Sequence, residues 1–111
     1  GDGEISGAAI ECQADVTVRL DRIPAAEAQY VGLPQVNTPE SIGSIAAFTG
    51  VHLGDVVRAA YVDIVQRLVQ FHGFELGEAY LLACQVARVR VGQVVDPLYC
   101  AAVTIDRRYI D

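Results

Sequence analysis

Two carboxylates near the start of the chain have the type and spacing that best suit chemistry. Asp2 and Glu4 flank Gly3 in the segment GDGEISGAAIE, where glycines at positions 1, 3 and 7 permit tight turns or close backbone approach. A short loop or strand start there aims both carboxylates at one point, which suits a metal ion or proton transfer. An Asp-Gly turn ahead of a strand is the alternative, and the spacing alone leaves both interpretations open.

Few other residues are candidates for a site. Glu11 ends the same segment, and its alternative interpretation is an exposed strand position with a salt-bridge partner. His52 and His72 are the two histidines, too few to build a histidine-rich zinc site alone. Gln93 and Asp96 fit either a structural role or the orientation of site residues.

The cysteine pattern predicts free thiols. Cys12, Cys84 and Cys100 are odd in number and widely spaced, which fits no zinc-ligand pattern. Buried free thiols are typical of a reducing compartment, so we expect the chain in the cytoplasm. Cys84 in particular is expected to be buried, since only Arg88 within one helical turn offers a charge that activates a thiol.

Hydrophobic periodicity predicts two helices. Apolar residues at steps of three and four predict a five-turn amphipathic helix over 53–72, capped by Gly73. Its packed face is predicted to hold Leu53, Val57, Ala60, Tyr61, Ile64, Leu68 and Phe71. Its wet face is predicted to hold Arg58, Asp63 and Arg67. A second helix is predicted over 76–87, with Ala79, Tyr80, Ala83 and Val86 on one face.

Strands are predicted on both sides of these helices. Alternation of apolar and polar residues predicts strands at 5–11, 14–23, 41–48, 89–96 and 100–106, with a short edge strand at 30–33. A bulge within one long strand is the alternative for the first two. We therefore predict one α+β domain over residues 1–111, a mixed or antiparallel sheet with two helices packed on it.

Composition excludes several classes of partner. Eight basic and fourteen acidic residues give a net charge of −6, which argues against nucleic acid and anionic membranes. No apolar run reaches the ~18 residues of a membrane span. The chain contains no methionine, even at position 1, so we expect it to begin after a cleavage or inside a longer gene.

The motifs resemble the acetamidase/formamidase family of amide hydrolases. GDGEISGAAIE and the strand after it resemble the family's G-D-G-E and G-x-A-I-E segments. Further matches keep the family's order along nearly all of the chain: SIGS at 41–44, EAYLL at 78–82, VGQVVD at 91–96 and RYI at 108–110. They correspond to the C-terminal part of the family.

This resemblance implies metal-assisted hydrolysis of formamide or acetamide to ammonia and the acid. It makes Asp2 the candidate ligand of a divalent metal ion, zinc or calcium, and Glu4 the candidate general base, with Glu11 a second catalytic candidate. The family's preceding G-D-x-H segment is absent from this sequence, so we expect an inactive isolated chain that needs an N-terminal half or companion chain. We also expect a homo-oligomer. The alternative is a non-catalytic assembly domain that self-associates or docks on a companion chain.

Overall fold

Two helices pack on one face of a four-stranded antiparallel sheet, in the strand order β1-β2-β4-β3. The structure is a computed structural model that describes residues 4–8, 10–28, 32–95 and 98–110. Its elements are β1 (Gln35–Asn37), β2 (Ser41–Thr49), α1 (Leu53–His72), α2 (Leu76–Val86), β3 (Arg88–Gln93), β4 (Leu98–Asp106) and a short 3-10 helix (Arg107–Tyr109). The predicted α+β fold is confirmed.

The central pair of strands carries most of the core. β2 and β4 are paired along nine residues each, from Ser41 opposite Asp106 to Thr49 opposite Leu98. Since side chains alternate across a strand, every second residue faces the helices. The buried apolar residues on these two strands are Ile42, Ala46, Ala101, Val103 and Ile105. They form one cluster with Ile64 and Leu68 of α1.

The two helices begin and end where local signals predict. α1 spans the predicted residues, and Gly73 ends it with a φ of 72°, a left-handed conformation that suits glycine. α2 begins with a capping box, in which Glu75 and Glu78 each accept a hydrogen bond from the other's backbone N–H. It ends at Val86, one residue before the predicted end.

The predicted faces of both helices need correction. Asp63 and Arg67 are predicted to stay in water, but each is only 5% exposed. Phe71 is predicted to pack, yet it is exposed, as is Tyr80 on α2. The prediction fails because Asp63 accepts hydrogen bonds from Ser44 and Leu33, and Arg67 donates to the Gly43 carbonyl and Asn37. Such partners leave no trace in local periodicity.

The predicted strands at 5–11 and 14–23 are wrong for the described residues. Apart from a single bridge at Glu4, these residues form no strand, and their large apolar side chains are exposed. A strand needs a neighbour to satisfy its backbone donors and acceptors, and the described part of the chain offers residues 10–23 none. For the edge strand predicted at 30–33, residues 30 and 31 lie outside the described ranges, and β1 occupies the edge instead.

The three cysteines are free thiols that differ in exposure. Cys12 and Cys84 are exposed and Cys100 is half-buried, so the prediction that Cys84 is buried is wrong. Cys84 lies on the outer side of α2, since Ala79 and Ala83 form the side that faces the core.

Among the residues that the structure describes, no helix has both the length and the apolar character required to cross a membrane.

Replacement of Gly43 with alanine should destabilise the sheet by about 1–3 kcal/mol, the usual cost of overpacking. A Cβ at this position would lie 2.7 Å from Thr104 Cγ2 and 2.8 Å from Val36 Cγ1. Gly77→Ala is the matched control, because nothing lies within 4 Å of its Cβ position in α2 and alanine favours a helix. Chemical denaturation followed by circular dichroism measures both, and equal stability of the two variants would contradict the prediction.

Candidate active site

Glu4 is attached to the free edge of the sheet. Its backbone N–H donates to the Gly92 carbonyl at 3.2 Å, and its carbonyl accepts from the Val94 N–H at 2.8 Å. These two bonds form a parallel bridge with Gln93 at the end of β3, the outermost strand. The backbone of this candidate base is therefore held at a defined point, although Glu4 and Gln93 are far apart in sequence.

The attachment point is an irregular part of β3. The pairing between β3 and β4 shifts register between Val91 and Gln93, and such bulges are common beside active sites. Gly92 allows close packing there, since a Cβ would lie 3.3 Å from Cys100 Sγ. The amide nitrogen of Gln93 donates to the carbonyls of Val95 at 2.9 Å and Leu98 at 3.1 Å.

Gln93 therefore has a structural role that its sequence position left open. Its side chain ties together the two ends of the connection between β3 and β4. Its backbone neighbours, Gly92 and Val94, hold Glu4. We infer that Gln93 stabilises the turn on which Glu4 rests. Asp96 lies outside the described residues.

Among the described residues, no hydrogen bond or ion pair joins Glu11, His52 or His72 to Glu4. Asp2 lies outside the described residues. Glu11 is exposed and makes no hydrogen bond or ion pair with the described part of the chain. His52 is the exposed N-cap residue of α1, and His72 is half-buried in its last turn.

The described residues do not by themselves fit a metal centre. Across residues 4–8, 10–28, 32–95 and 98–110, no three His, Cys, Asp or Glu side chains cluster to hold an ion. Hydrolytic metal sites generally use three or more protein ligands and an open position for water. Glu4 by itself offers a carboxylate, the type of group that suits proton transfer, and any metal would need ligands from outside the described residues.

Sequence patterning missed a buried polar cluster formed by Ser44, Asp63 and Arg67. The Ser44 hydroxyl donates to Asp63 Oδ2 at 2.5 Å and lies 3.4 Å from Arg67 Nη1. Arg67 also donates to the Gly43 carbonyl at 2.5 Å and to Asn37 Oδ1 at 2.9 Å. An acid and an arginine four apart on a helix were the available signal, but that spacing is equally typical of a solvated pair.

This cluster joins α1 to β2 and to the segment before β1. Asp63 Oδ1 accepts a hydrogen bond from the Leu33 backbone N–H at 3.0 Å, which ties the segment before β1 to the helix. Arg67 lines an open cavity of about 710 Å³ together with Asn37, His72 and Arg107. Glu4 does not line this cavity, so it is separate from the candidate active site.

Comparison with solved structures tests the family resemblance. An acetamidase from Yersinia enterocolitica is 34% identical to this chain, and its structure matches 69% of this chain with a TM-score of 0.64. The predicted resemblance to acetamidase is confirmed. An acetamidase from Bacillus halodurans, 23% identical with a TM-score of 0.63 over 69% of this chain, shares the fold. No protein-family model matches the sequence, and no curated protein does.

The acetamidase-like domain corresponds to a minor part of these enzymes. The matched region covers 23% of the Yersinia enterocolitica chain and 25% of the Bacillus halodurans chain. The domain thus has a fold found within an amide hydrolase, and roughly three quarters of each of those enzymes has no counterpart in the match.

Proposed function

We propose that this acetamidase-like domain is part of an enzyme that hydrolyses formamide or acetamide to ammonia and the carboxylic acid. The supporting observation is its 34% identity, at a TM-score of 0.64, to the acetamidase from Yersinia enterocolitica. Because the match covers 23% of that enzyme, the domain needs an N-terminal half or companion chain for activity. The substrate is a small linear amide.

Glu4 is the general base in this proposal. The bridge to Gly92 and Val94 fixes its backbone, so a partner bound at the sheet edge would meet Glu4 at a constant backbone position. Its role is to take a proton from the water that attacks the amide carbonyl, and positioned proton transfer contributes typically 10²–10⁴-fold in rate. Glu11 is a second catalytic candidate, which a partner would have to bring from its exposed segment to the site.

A divalent metal ion, zinc or calcium, is part of the proposal. Asp2 is the ligand from this chain, and the remaining ligands would come from the N-terminal half, since the described residues contain no cluster of their own. We also propose a cytoplasmic homo-oligomer, in keeping with the free cysteines and the acidic net charge of −6. Metal analysis of the active complex, rather than of this chain alone, tests the ion.

Ammonia release from formamide and acetamide tests the activity. The chain alone should release little or no ammonia, because a half-site loses the positioning of substrate and water. Addition of the N-terminal part of the Yersinia enterocolitica acetamidase, as a separate or fused segment, should restore turnover. In that mixture Glu4→Gln should lower kcat at least about 100-fold, and Asp2→Asn should abolish metal-dependent turnover.

The exposed acid Glu40, replaced by glutamine, is the matched control and should leave the rate unchanged. Robust turnover by the chain alone would refute its dependence on a second segment. Full activity of the Glu4→Gln mixture would remove Glu4 from the reaction, and full activity of Asp2→Asn would remove Asp2.

An assembly domain is the second candidate function, favoured by the outer surface of the helices. Val62, Leu76, Tyr80 and Leu81 are all more than half exposed. A groove of about 590 Å³ between α1 and α2 is lined mainly by apolar side chains, and hydrogen bonding to Cys84 raises the pKa of Tyr80 at its edge. Exposed apolar patches often mark protein interfaces. Persistent inactivity with every N-terminal segment tried would favour this function.

A further inference from the structure

The bulge in β3 determines where Glu4 is held. Gln93 lies opposite Cys100, one position off the register of the rest of β3, so Gly92 is the extra residue of the bulge. The Gly92 carbonyl accepts the Glu4 N–H at 3.2 Å, and the Val94 N–H donates to the Glu4 carbonyl at 2.8 Å. Because a bulge bends its strand and changes the direction of its backbone groups, the shape of this bulge sets the position of Glu4.

Space, rather than backbone conformation, accounts for the glycine at position 92. The described glycines with a left-handed φ are Gly50 and Gly73, so Gly92 is not in that region. A Cβ on Gly92 would have its three nearest neighbours in Cys100: Sγ at 3.3 Å, Cβ at 3.7 Å and the carbonyl oxygen at 3.7 Å. Contacts of about 3.5–4.0 Å are ordinary for carbon, so the sulfur is the atom that lies too close.

The Cys100 thiol contributes packing at this point. Cys100 is a half-buried free cysteine, and its thiol makes no hydrogen bond within the part of the chain that the structure describes. Its sulfur lies on β4, against the open side of Gly92 on β3. It takes up the space that a side chain at position 92 would need. The two residues therefore fit one another across the bulge.

We propose that Gly92 and Cys100 are positioning residues for Glu4. The Cys100 sulfur, packed against Gly92, sets how closely the end of β3 lies to β4, and with it the direction of the backbone groups that hold Glu4. Both residues act through Glu4, and neither has to touch the substrate. This inference rests on the proposed amidase function for the role of Glu4 as general base, whereas the contact itself does not depend on that function.

Replacement of Gly92 with alanine should loosen the attachment of Glu4. The new methyl group meets the Cys100 sulfur, so the end of β3 moves away from β4 and the hydrogen bonds to Glu4 weaken. Amide hydrogen exchange of this chain, followed residue by residue by NMR, measures the change. The Glu4 and Val94 N–H groups should exchange about tenfold faster, whereas the Leu68 N–H in α1 should keep its rate. An equal acceleration at Leu68 would mean that the whole fold is destabilised and would refute a local role.

A second substitution tests whether the sulfur is the cause. In the Gly92→Ala chain, Cys100→Ala removes Sγ and leaves the new methyl group with contacts of 3.7 Å, which are ordinary. The change moves volume from β4 to β3, so exchange at Glu4 and Val94 should return to within about twofold of wild type. Cys84→Ala in the Gly92→Ala chain is the matched control, because it removes an exposed thiol on α2 and should restore nothing. Unchanged exchange in Gly92→Ala would overturn the proposal, as would equal recovery with the two cysteine changes.

Kinetics test whether this positioning matters for the reaction. In the mixture with the N-terminal part of the Yersinia enterocolitica acetamidase, Gly92→Ala should lower kcat about 10- to 100-fold and leave KM within about threefold, because a misplaced base costs rate more than substrate binding. The double variant with Cys100→Ala should recover most of kcat. Gly54→Ala is the matched control and should leave the rate unchanged, since nothing lies within 4 Å of its Cβ position at the start of α1.

The two measurements separate this inference from the proposed function. An inactive wild-type mixture would refute the amidase proposal, and amide exchange would still decide whether Gly92 and Cys100 hold Glu4. An active mixture in which Gly92→Ala keeps full kcat would refute the positioning role.

Discussion

Replacement of Asp63 with alanine should lower the free energy of unfolding by about 3–5 kcal/mol, the usual cost of removing one member of a buried charged cluster. The Asp63 carboxylate accepts hydrogen bonds from the Ser44 hydroxyl and the Leu33 N–H. Without Asp63, both donors lose this acceptor in a site that water hardly reaches, since Asp63 itself is only 5% exposed. The positive charge of Arg67, which contacts the same Ser44 hydroxyl, would stay buried after the negative charge of Asp63 is removed.

Urea denaturation followed by circular dichroism measures this change, with Asp55→Ala as the matched control on the same helix. Asp55 forms an ion pair with Arg58 at 3.0 Å in which both side chains are mainly exposed, so its removal should cost less than about 1 kcal/mol. Asp63→Asn keeps the shape of the side chain and should fall between the two. If Asp63→Ala costs no more than Asp55→Ala, the cluster does not hold the helix to the sheet.

Replacement of Leu68 with alanine should cost about 2–5 kcal/mol, the range for a buried leucine truncated in a packed core. Leu68 is fully buried, and it packs in the cluster that joins α1 to Val103 and Ile105 of β4. Alanine would leave a cavity between the long helix and the central strands. The midpoint and slope of a denaturation curve give the change in stability.

Val69→Ala is the matched control for Leu68, because Val69 is the next residue of α1 and its side chain is partly exposed. Its truncation removes less buried surface than that of Leu68, and alanine is the better helix former, so we expect a change within about 1 kcal/mol. A cost below about 0.5 kcal/mol for Leu68→Ala would mean that α1 presents a different face to the sheet.

Local signals in the sequence were sufficient to predict the helices. The bounds of α1 follow from steps of three and four between apolar residues and from Gly73, whose left-handed conformation ends the helix. β2 and β4 were also predicted to within two residues at each end. These elements are predictable because their periodicity and caps depend on residues only a few positions apart.

The orientation of α1 required the tertiary structure. The hydrophobic periodicity predicts that Asp63 and Arg67 lie on the solvent-exposed face of α1, since isolated charges are costly to bury. Their burial depends on Ser44 and the Gly43 carbonyl, which belong to a strand about twenty residues earlier in the chain. Hydrogen-bond partners at such separations have no periodic signature, so only the folded arrangement reveals them.

The sequence by itself determined the α+β class, the two helices and the resemblance to acetamidase, because each depends on local pattern or on motifs in order. Two features were decided only by the tertiary structure. Glu4 is held at the bulged end of β3 by Gly92 and Val94, a contact between distant parts of the chain. Residues 10–23 alternate as a strand should, yet they remain unpaired in the described structure. Alternation determines which side of a strand is apolar, whereas the formation of a sheet requires a second strand in hydrogen-bonding reach.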